Sequence, residues 1–128
     1  MTKRKVLLAG ESWVSTSAHI KGFDQFTTAT YHTGADALIS ALRAGPYDVT
    51  FMPSHEAQRD FPQTAEALAA FDAVILSDIG ANTLLLHPDT WIHSKPTPNR
   101  LKAIRDYVLN GGGLLMFGGY LSFQGING

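Results

Sequence analysis

Short, almost uninterrupted apolar runs alternate along this chain with segments whose apolar residues recur at helical spacing, and few architectures accept that pattern. Lys5 to Ala9, Asp72 to Ser77 and Leu114 to Phe117 have the continuous apolar character of strands buried on both faces. Between the first two, Ala35, Leu38, Ile39 and Leu42 fall at i, i+3, i+4 and i+7, one face of a helix. Leu101, Ile104 and Val108 supply a similar face before the last run. Strands that alternate with helices build a parallel sheet covered by helices, so the fold class is α/β.

Local signals mark the boundaries. Gly45-Pro46 stops the first helix. Asp48 to Met52 reads as the second of four strands, closed by Pro53, and Thr64 to Ala70 as a short alanine-rich helix. Thr97-Pro98 predicts the start of the last helix, the hydroxyl capping open amides and the proline fitting the first turn, with Gly111 as its stop. Ser12 to Tyr31 mixes Trp, Phe, Ser, Thr and His without a clear period and is expected to be extended or irregular.

Right-handed crossovers with one reversal of winding predict a doubly wound sheet of strand order 2-1-3-4, with strand 1 central and strand 4 at an edge. Leu114 to Phe117 is as apolar as the interior strands and holds no charge or proline to block pairing, which leaves an unprotected edge. The tail Gln124 to Gly128 reads as a glycine-containing loop with no closing element. A partner near Leu114 to Phe117 is therefore expected, either in a homo-oligomer or from a missing C-terminal half.

Composition excludes several classes. The 128 residues suit one domain, 1–128. With 45% apolar residues, 16% charged and a net charge of −1, the chain has no nucleic-acid footprint, and Lys3-Arg4-Lys5 reads as a solubilising flank. The absence of cysteine removes disulfides, thiolate metal sites and thiol nucleophiles together. Val6 to Ala9 is too short for a signal peptide or a membrane span, so a cytoplasmic location is expected.

Open α/β folds bind ligands at the carboxyl ends of their strands. Gly10, Glu11, Ser12, Ser77, Asp78, Gly118, Gly119 and Tyr120 should converge there. Glu11 and Asp78 offer acceptors for hydroxyls or amines, or ligands for a hard cation; the bland reading has them capping helix amides or bonding into the Ser12 to Asp24 segment. His19 follows strand 1 and is expected to reach the same rim. No Gly-x-Gly-x-x-Gly follows strand 1 and no phosphate-loop motif is present. The five histidines show neither His-x-His nor His-x-x-x-His spacing, so no metal site and no cofactor is expected. Trp13, Phe23, Phe26, Trp91 and Tyr120 either line a pocket or bury irregular segments. His87 to Pro98 reads as a lid, an interaction loop or an ordinary crossover.

Gly10-Glu11-Ser12-Trp13, His19-Ile20-Lys21-Gly22-Phe23-Asp24, Ser77-Asp78-Ile79-Gly80 and Gly118-Gly119-Tyr120-Leu121-Ser122-Phe123-Gln124-Gly125 together resemble the glutamine-amidotransferase-like proteins, a branch of the class I glutamine amidotransferase superfamily. The resemblance implies a flavodoxin-like sheet and members roughly twice this long, so that this chain is the N-terminal portion of such a domain. Class I amidotransferases set a cysteine on a sharp strand-to-helix elbow. Here the corresponding turn reads Phe117-Gly118-Gly119-Tyr120-Leu121, and the superfamily's histidine and acid would lie beyond Gly128. The resemblance thus implies no catalytic residue in this segment and no glutaminase activity. The expected function is a noncatalytic domain serving assembly or small polar ligand binding. The alternatives are a hydrolase or transferase that uses Glu11, Asp78 and His19 on a small polar or carbohydrate substrate, and a flavodoxin-like nucleotide binder.

Overall fold

Every strand that the apolar runs predict is present in the computed structural model, which describes residues 2–119 and 121–123. In chain order the elements are β1 (Arg4–Gly10), β2 (Ser12–Lys21), β3 (Asp24–Thr33), α1 (Asp36–Ala44), β4 (Tyr47–Met52), α2 (Ser54–Asp60), α3 (Ala65–Leu68), β5 (Ala73–Ser77), α4 (Ala81–Leu85), α5 (Pro88–His93), α6 (Arg100–Leu109) and β6 (Gly113–Phe117). β4, β1, β5 and β6 form one parallel sheet in that order. Numbered as four successive parallel strands, this is the expected 2-1-3-4. The expectations for Tyr120 and for Gln124 to Gly128 lie outside the described residues.

Alternation along the strands divides the core into two layers. Leu7, Ala9, Val74 and Leu76 pack with Ala57, Phe61, Leu68, Leu84, Ala103, Ile104 and Tyr107 from α2, α3, α4 and α6 and the segment after α2. On the opposite face, Val6, Leu8, Val49 and Ile75 meet Ala35 and Ile39 at α1. Helices on both faces make the sheet doubly wound. Tyr107 ties α6 to the start of β5, its hydroxyl donating to the Phe71 carbonyl at 2.9 Å.

Ser12 to Tyr31 is regular where the sequence shows no clear period. β2 and β3 pair antiparallel over their whole length, from Ser12 opposite Thr33 to Lys21 opposite Asp24. Gly22, at φ 68°, takes the first central position of the two-residue turn, the place where a type II′ hairpin wants glycine. The alternation is masked because apolar and hydroxyl side chains occupy both faces of this ribbon, and nearly all of it is exposed.

The start of the last helix moves from Thr97-Pro98 to Asn99. The Asn99 side chain accepts from the amides of Leu101 and Lys102 at 3.0 and 3.2 Å, while the Thr97 hydroxyl pairs with that of Thr90 at 2.8 Å. Both residue types can cap, and the Thr90 contact removes Thr97 from the competition. The segment from His87 to Pro98 contains the helix α5, capped by the buried His87, whose Nδ1 accepts from the Asp89 amide at 3.0 Å.

Strand β6 lies at the sheet edge, as expected, but its side chains are not interior. Leu115, Met116 and Phe117 are all about half exposed: Leu115 and Phe117 share the face on which α1 covers β4 and β1 but not β6, and Met116 lies on the opposite face beside Leu114, at the outer margin of the sheet.

Candidate functional site

The parallel strands end together, and their C-terminal residues build a cleft of about 600 Å3. Glu11, Ser12, Trp13 and Ser15 reach it from the end of β1 and the base of β2; Ser54 comes from the end of β4; Asp78, Ile79, Gly80 and Thr83 follow β5; Leu121 closes the far side. Doubly wound sheets bind ligands at the point where the winding reverses, which here is the β1/β5 junction.

Two acidic residues stand at that junction, each in a left-handed backbone conformation: Glu11 directly after β1 at φ 52° and Asp78 directly after β5 at φ 45°. Aspartate tolerates this region better than glutamate, and a strained non-glycine residue needs the surrounding structure to hold it. For Glu11 the holding contacts are clear. Its amide donates to the Ser77 carbonyl at 2.6 Å, its carbonyl accepts from Gly34 at 3.0 Å, and its Oε2 accepts from the Ser77 hydroxyl. Ser77 itself is buried, so Glu11 is fixed from below by β5. This bond replaces both bland readings of Glu11, since it neither caps a helix nor bonds into the hairpin.

Asp78 is held differently. Its amide donates to the Phe117 carbonyl at 3.3 Å, and a methyl group at Gly119 would overlap its carboxylate. Gly119, the second glycine after β6, is thus required by close approach, and the β6 turn packs directly against Asp78.

Ser12 has a structural task. Its hydroxyl accepts from the Ser54 amide at 2.7 Å, and its carbonyl accepts from the Ser54 hydroxyl at 2.9 Å. The preceding residue, Pro53, has no side-chain cap to offer α2, so Ser12 caps that helix from 42 residues away. Trp13, stacked on His32 with ring centroids 5.3 Å apart, forms the wall of the cleft on the hairpin side.

Of the predicted site residues, Glu11, Ser12 and Asp78 line the cleft, with Gly10 and Gly119 setting their geometry. Gly118 lies against the Phe123 ring. Tyr120 is outside the described residues. His19 is a correction: it sits near the hairpin tip, stacked on Phe26 with centroids 4.6 Å apart. Seven residue-to-residue steps of extended strand separate it from Ser12, about 23 Å. The other histidines are dispersed, and no group of three or more potential metal-ligating side chains forms among the described residues.

Sequence reasoning missed Ser54, Thr83 and Arg100. The first was within reach, because Ser54 follows a strand whose C-terminal end had to join the same rim. Arg100 gave no signal, since an arginine in the first turn of a helix ordinarily faces water. Here it is fully buried, and its guanidinium donates to the carbonyls of Leu84, Ala57, Gln58 and Thr83, joining the C-terminal halves of α2 and α4. Burial lowers its pKa from the ordinary value. Those two helices bring Ser54 and Thr83 to the cleft, so Arg100 positions the site without touching it.

A family model described as "Putative glutamine amidotransferase" matches residues 5–128. Among solved structures, the chain is similar to the cytoplasmic protein STM1381 from Salmonella typhimurium LT2, at 55% identity over 93% of this chain and 49% of that one, with a TM-score of 0.87. It is also similar to the cytoplasmic protein STM3548 from Salmonella typhimurium, at 49% identity over 94% of this chain and 49% of that one, again with a TM-score of 0.87. The chain therefore spans about half the length of both. No curated protein matches it. Among the described residues no helix is long and apolar enough to cross a membrane.

Proposed function

The chain belongs to this amidotransferase-like family, and from that premise we propose that it is a noncatalytic member whose strand-end cleft binds a small ligand rich in hydroxyl or amine groups. The observation that carries the reading is the pair of acids, Glu11 and Asp78, each in a left-handed conformation at the β1/β5 junction of the same cleft. Carboxylates accept hydrogen bonds and serve as charge-assisted partners for ammonium groups. The Trp13 ring adds an apolar face of the kind on which a sugar or polyol ring packs. Backbone strain held at a pocket is a sound reason to look for function there.

Amidotransferase chemistry finds no support in this segment. The sequence contains no cysteine, and the turn after β6 offers Gly118 and Gly119 where the superfamily's elbow carries its nucleophile. The alternative, acid–base chemistry on a polar substrate, is disfavoured by the Ser77 hydroxyl, which already occupies one Glu11 oxygen and makes it a fixed acceptor.

Glucosamine, which carries hydroxyls and an amine, is a suitable probe. Calorimetric titration should detect binding to the wild-type chain, and Glu11→Gln should weaken it roughly tenfold, the worth of one charge-assisted hydrogen bond. Ammonia release from glutamine should stay at background. Unchanged affinity in both Glu11→Gln and Asp78→Asn would remove the carboxylates from the reading, and glutamine turnover would end the noncatalytic part of it.

The same reading includes assembly at β6. The open edge and the half-exposed Leu115, in a chain that spans half of its solved relatives, support further sheet and a helix beyond this strand. In the 128-residue chain Leu115→Lys should therefore cost less than about 1 kcal/mol by urea denaturation, because the side chain already reaches water. A loss of about 3 kcal/mol would show the site to be covered already.

A further inference from the structure

We propose that the β2–β3 hairpin is an arm through which two copies of this chain associate, an interaction separate from the β6 edge that meets the cleft only at the base of the arm, at Trp13 and Ser15. Each strand has ten residues, so the ribbon extends about 33 Å. It carries exposed apolar side chains on both faces. Val14, Ile20 and Tyr31 are on one, at 61%, 70% and 51% exposure, and Trp13 and Phe26 are on the other. A two-stranded ribbon on its own is marginally stable in water, so one of this length needs a cover.

Its chemistry selects the occupant. From Ser12 to Ile20 and from Gln25 to Thr33 there is no Lys, Arg, Asp or Glu, so the arm offers no charge by which an acidic or basic partner would recognise it. A second copy meets no repulsion, and it presents a surface of equal length and the same alternating hydroxyl and apolar groups. Charges appear only at the tip, where Lys21 stands opposite Asp24, a neutral pair that complements its own symmetry mate. Both strands are also edges, since among the described residues the hairpin sheet contains only these two. Long edges without proline or charge are templates for pairing with another chain, and a two-fold axis allows like edges to meet antiparallel.

The area is adequate. A ribbon two strands wide presents about 330 Å2 on each face. Covering both faces of two arms removes about 1,300 Å2, within the range of specific interfaces, whereas stacking one face alone would not reach it. The arms are therefore expected to clasp, each lying between its partner's arm and body.

Sedimentation equilibrium of the 128-residue chain between 1 and 200 μM should give a dimer. The double variant Val14→Lys with Ile20→Lys, both exposed in the protomer, should weaken association at least tenfold with thermal unfolding of the body unchanged. Because the chain has no cysteine, Ser17→Cys and Thr28→Cys, which face each other at mid-arm, report contact directly: at least one should form a disulfide-linked dimer under mild oxidation. These two variants keep every apolar residue in place, so their readout stands if the lysine variant loses its hairpin. A monomer throughout the concentration range overturns the proposal. So does a dimer that neither cysteine traps and that the lysines leave intact, which would place the interface elsewhere.

Discussion

Arg100→Met should cost about 3–5 kcal/mol of folding stability, although the residue lies outside the cleft and bonds to no carboxylate. The wild-type guanidinium satisfies carbonyls of Ala57, Gln58, Thr83 and Leu84 from a position with no exposed surface. Methionine fills much of the volume and leaves those acceptors without their donor; each buried polar group so abandoned costs about 1–3 kcal/mol, reduced where water can enter. The charge itself is favoured by its place, because the carbonyl ends of α2 and α4 both point at it and a helix C-terminus attracts a cation. Urea denaturation of the variant measures the loss. Arg100→Lys is the informative companion: it keeps the charge, loses the planar fork, and should recover only part of the stability. A loss below about 1 kcal/mol in Arg100→Met would mean that water replaces the guanidinium without cost.

Gly10→Ala should be comparably severe, at about 3 kcal/mol or more, and should abolish ligand binding as well. Gly10 has φ 104°, which L residues rarely adopt, and its added methyl would fall onto the Ser77 carbonyl oxygen and within 2.9 Å of the Ile79 Cβ. That carbonyl receives the Glu11 amide, so relief of the clash requires the end of β1 to separate from β5 at the point where the cleft is built. Gly22→Ala is the control. It also sits at positive φ, but nothing lies within 4 Å of the added methyl, and its cost should be about 1 kcal/mol from backbone conformation alone. Equal losses at the two positions in denaturant titrations would assign the effect to φ and remove the clash from the argument.

Both variants act through contacts between residues far apart in the chain, and this separates what the amino-acid order encodes by itself from what folding adds. The parallel strands, helix α1, the α/β class and the 2-1-3-4 order follow from signals contained within a few residues, together with a general rule of handedness. Lys5 to Ala9 could be assigned because a strand buried on both faces needs apolar side chains at every position. The family, too, is legible in short segments, most specifically His19-Ile20-Lys21-Gly22-Phe23-Asp24 and the run from Gly118 to Gly125, and a family model matches residues 5–128. The convergence of Glu11 and Asp78 follows from one further step, the placing of all strand ends on one rim.

The rest depended on which polar groups meet. Thr97 reads as the cap of the last helix until Thr90 claims its hydroxyl and Asn99 supplies the acceptor instead. Ser12 reads as a candidate ligand contact until Ser54 takes its oxygen. His19 reads as a rim residue until the hairpin carries it to the tip, and Arg100 reads as solvated until four carbonyls surround it. A side chain's period along the backbone is fixed by covalent geometry, whereas its hydrogen-bond partner is chosen from everything that packing brings within 3 Å. The sequence alone determined the layers; the tertiary structure decided which acids, hydroxyls and cations are committed to holding those layers together and which remain at the cleft to meet a ligand.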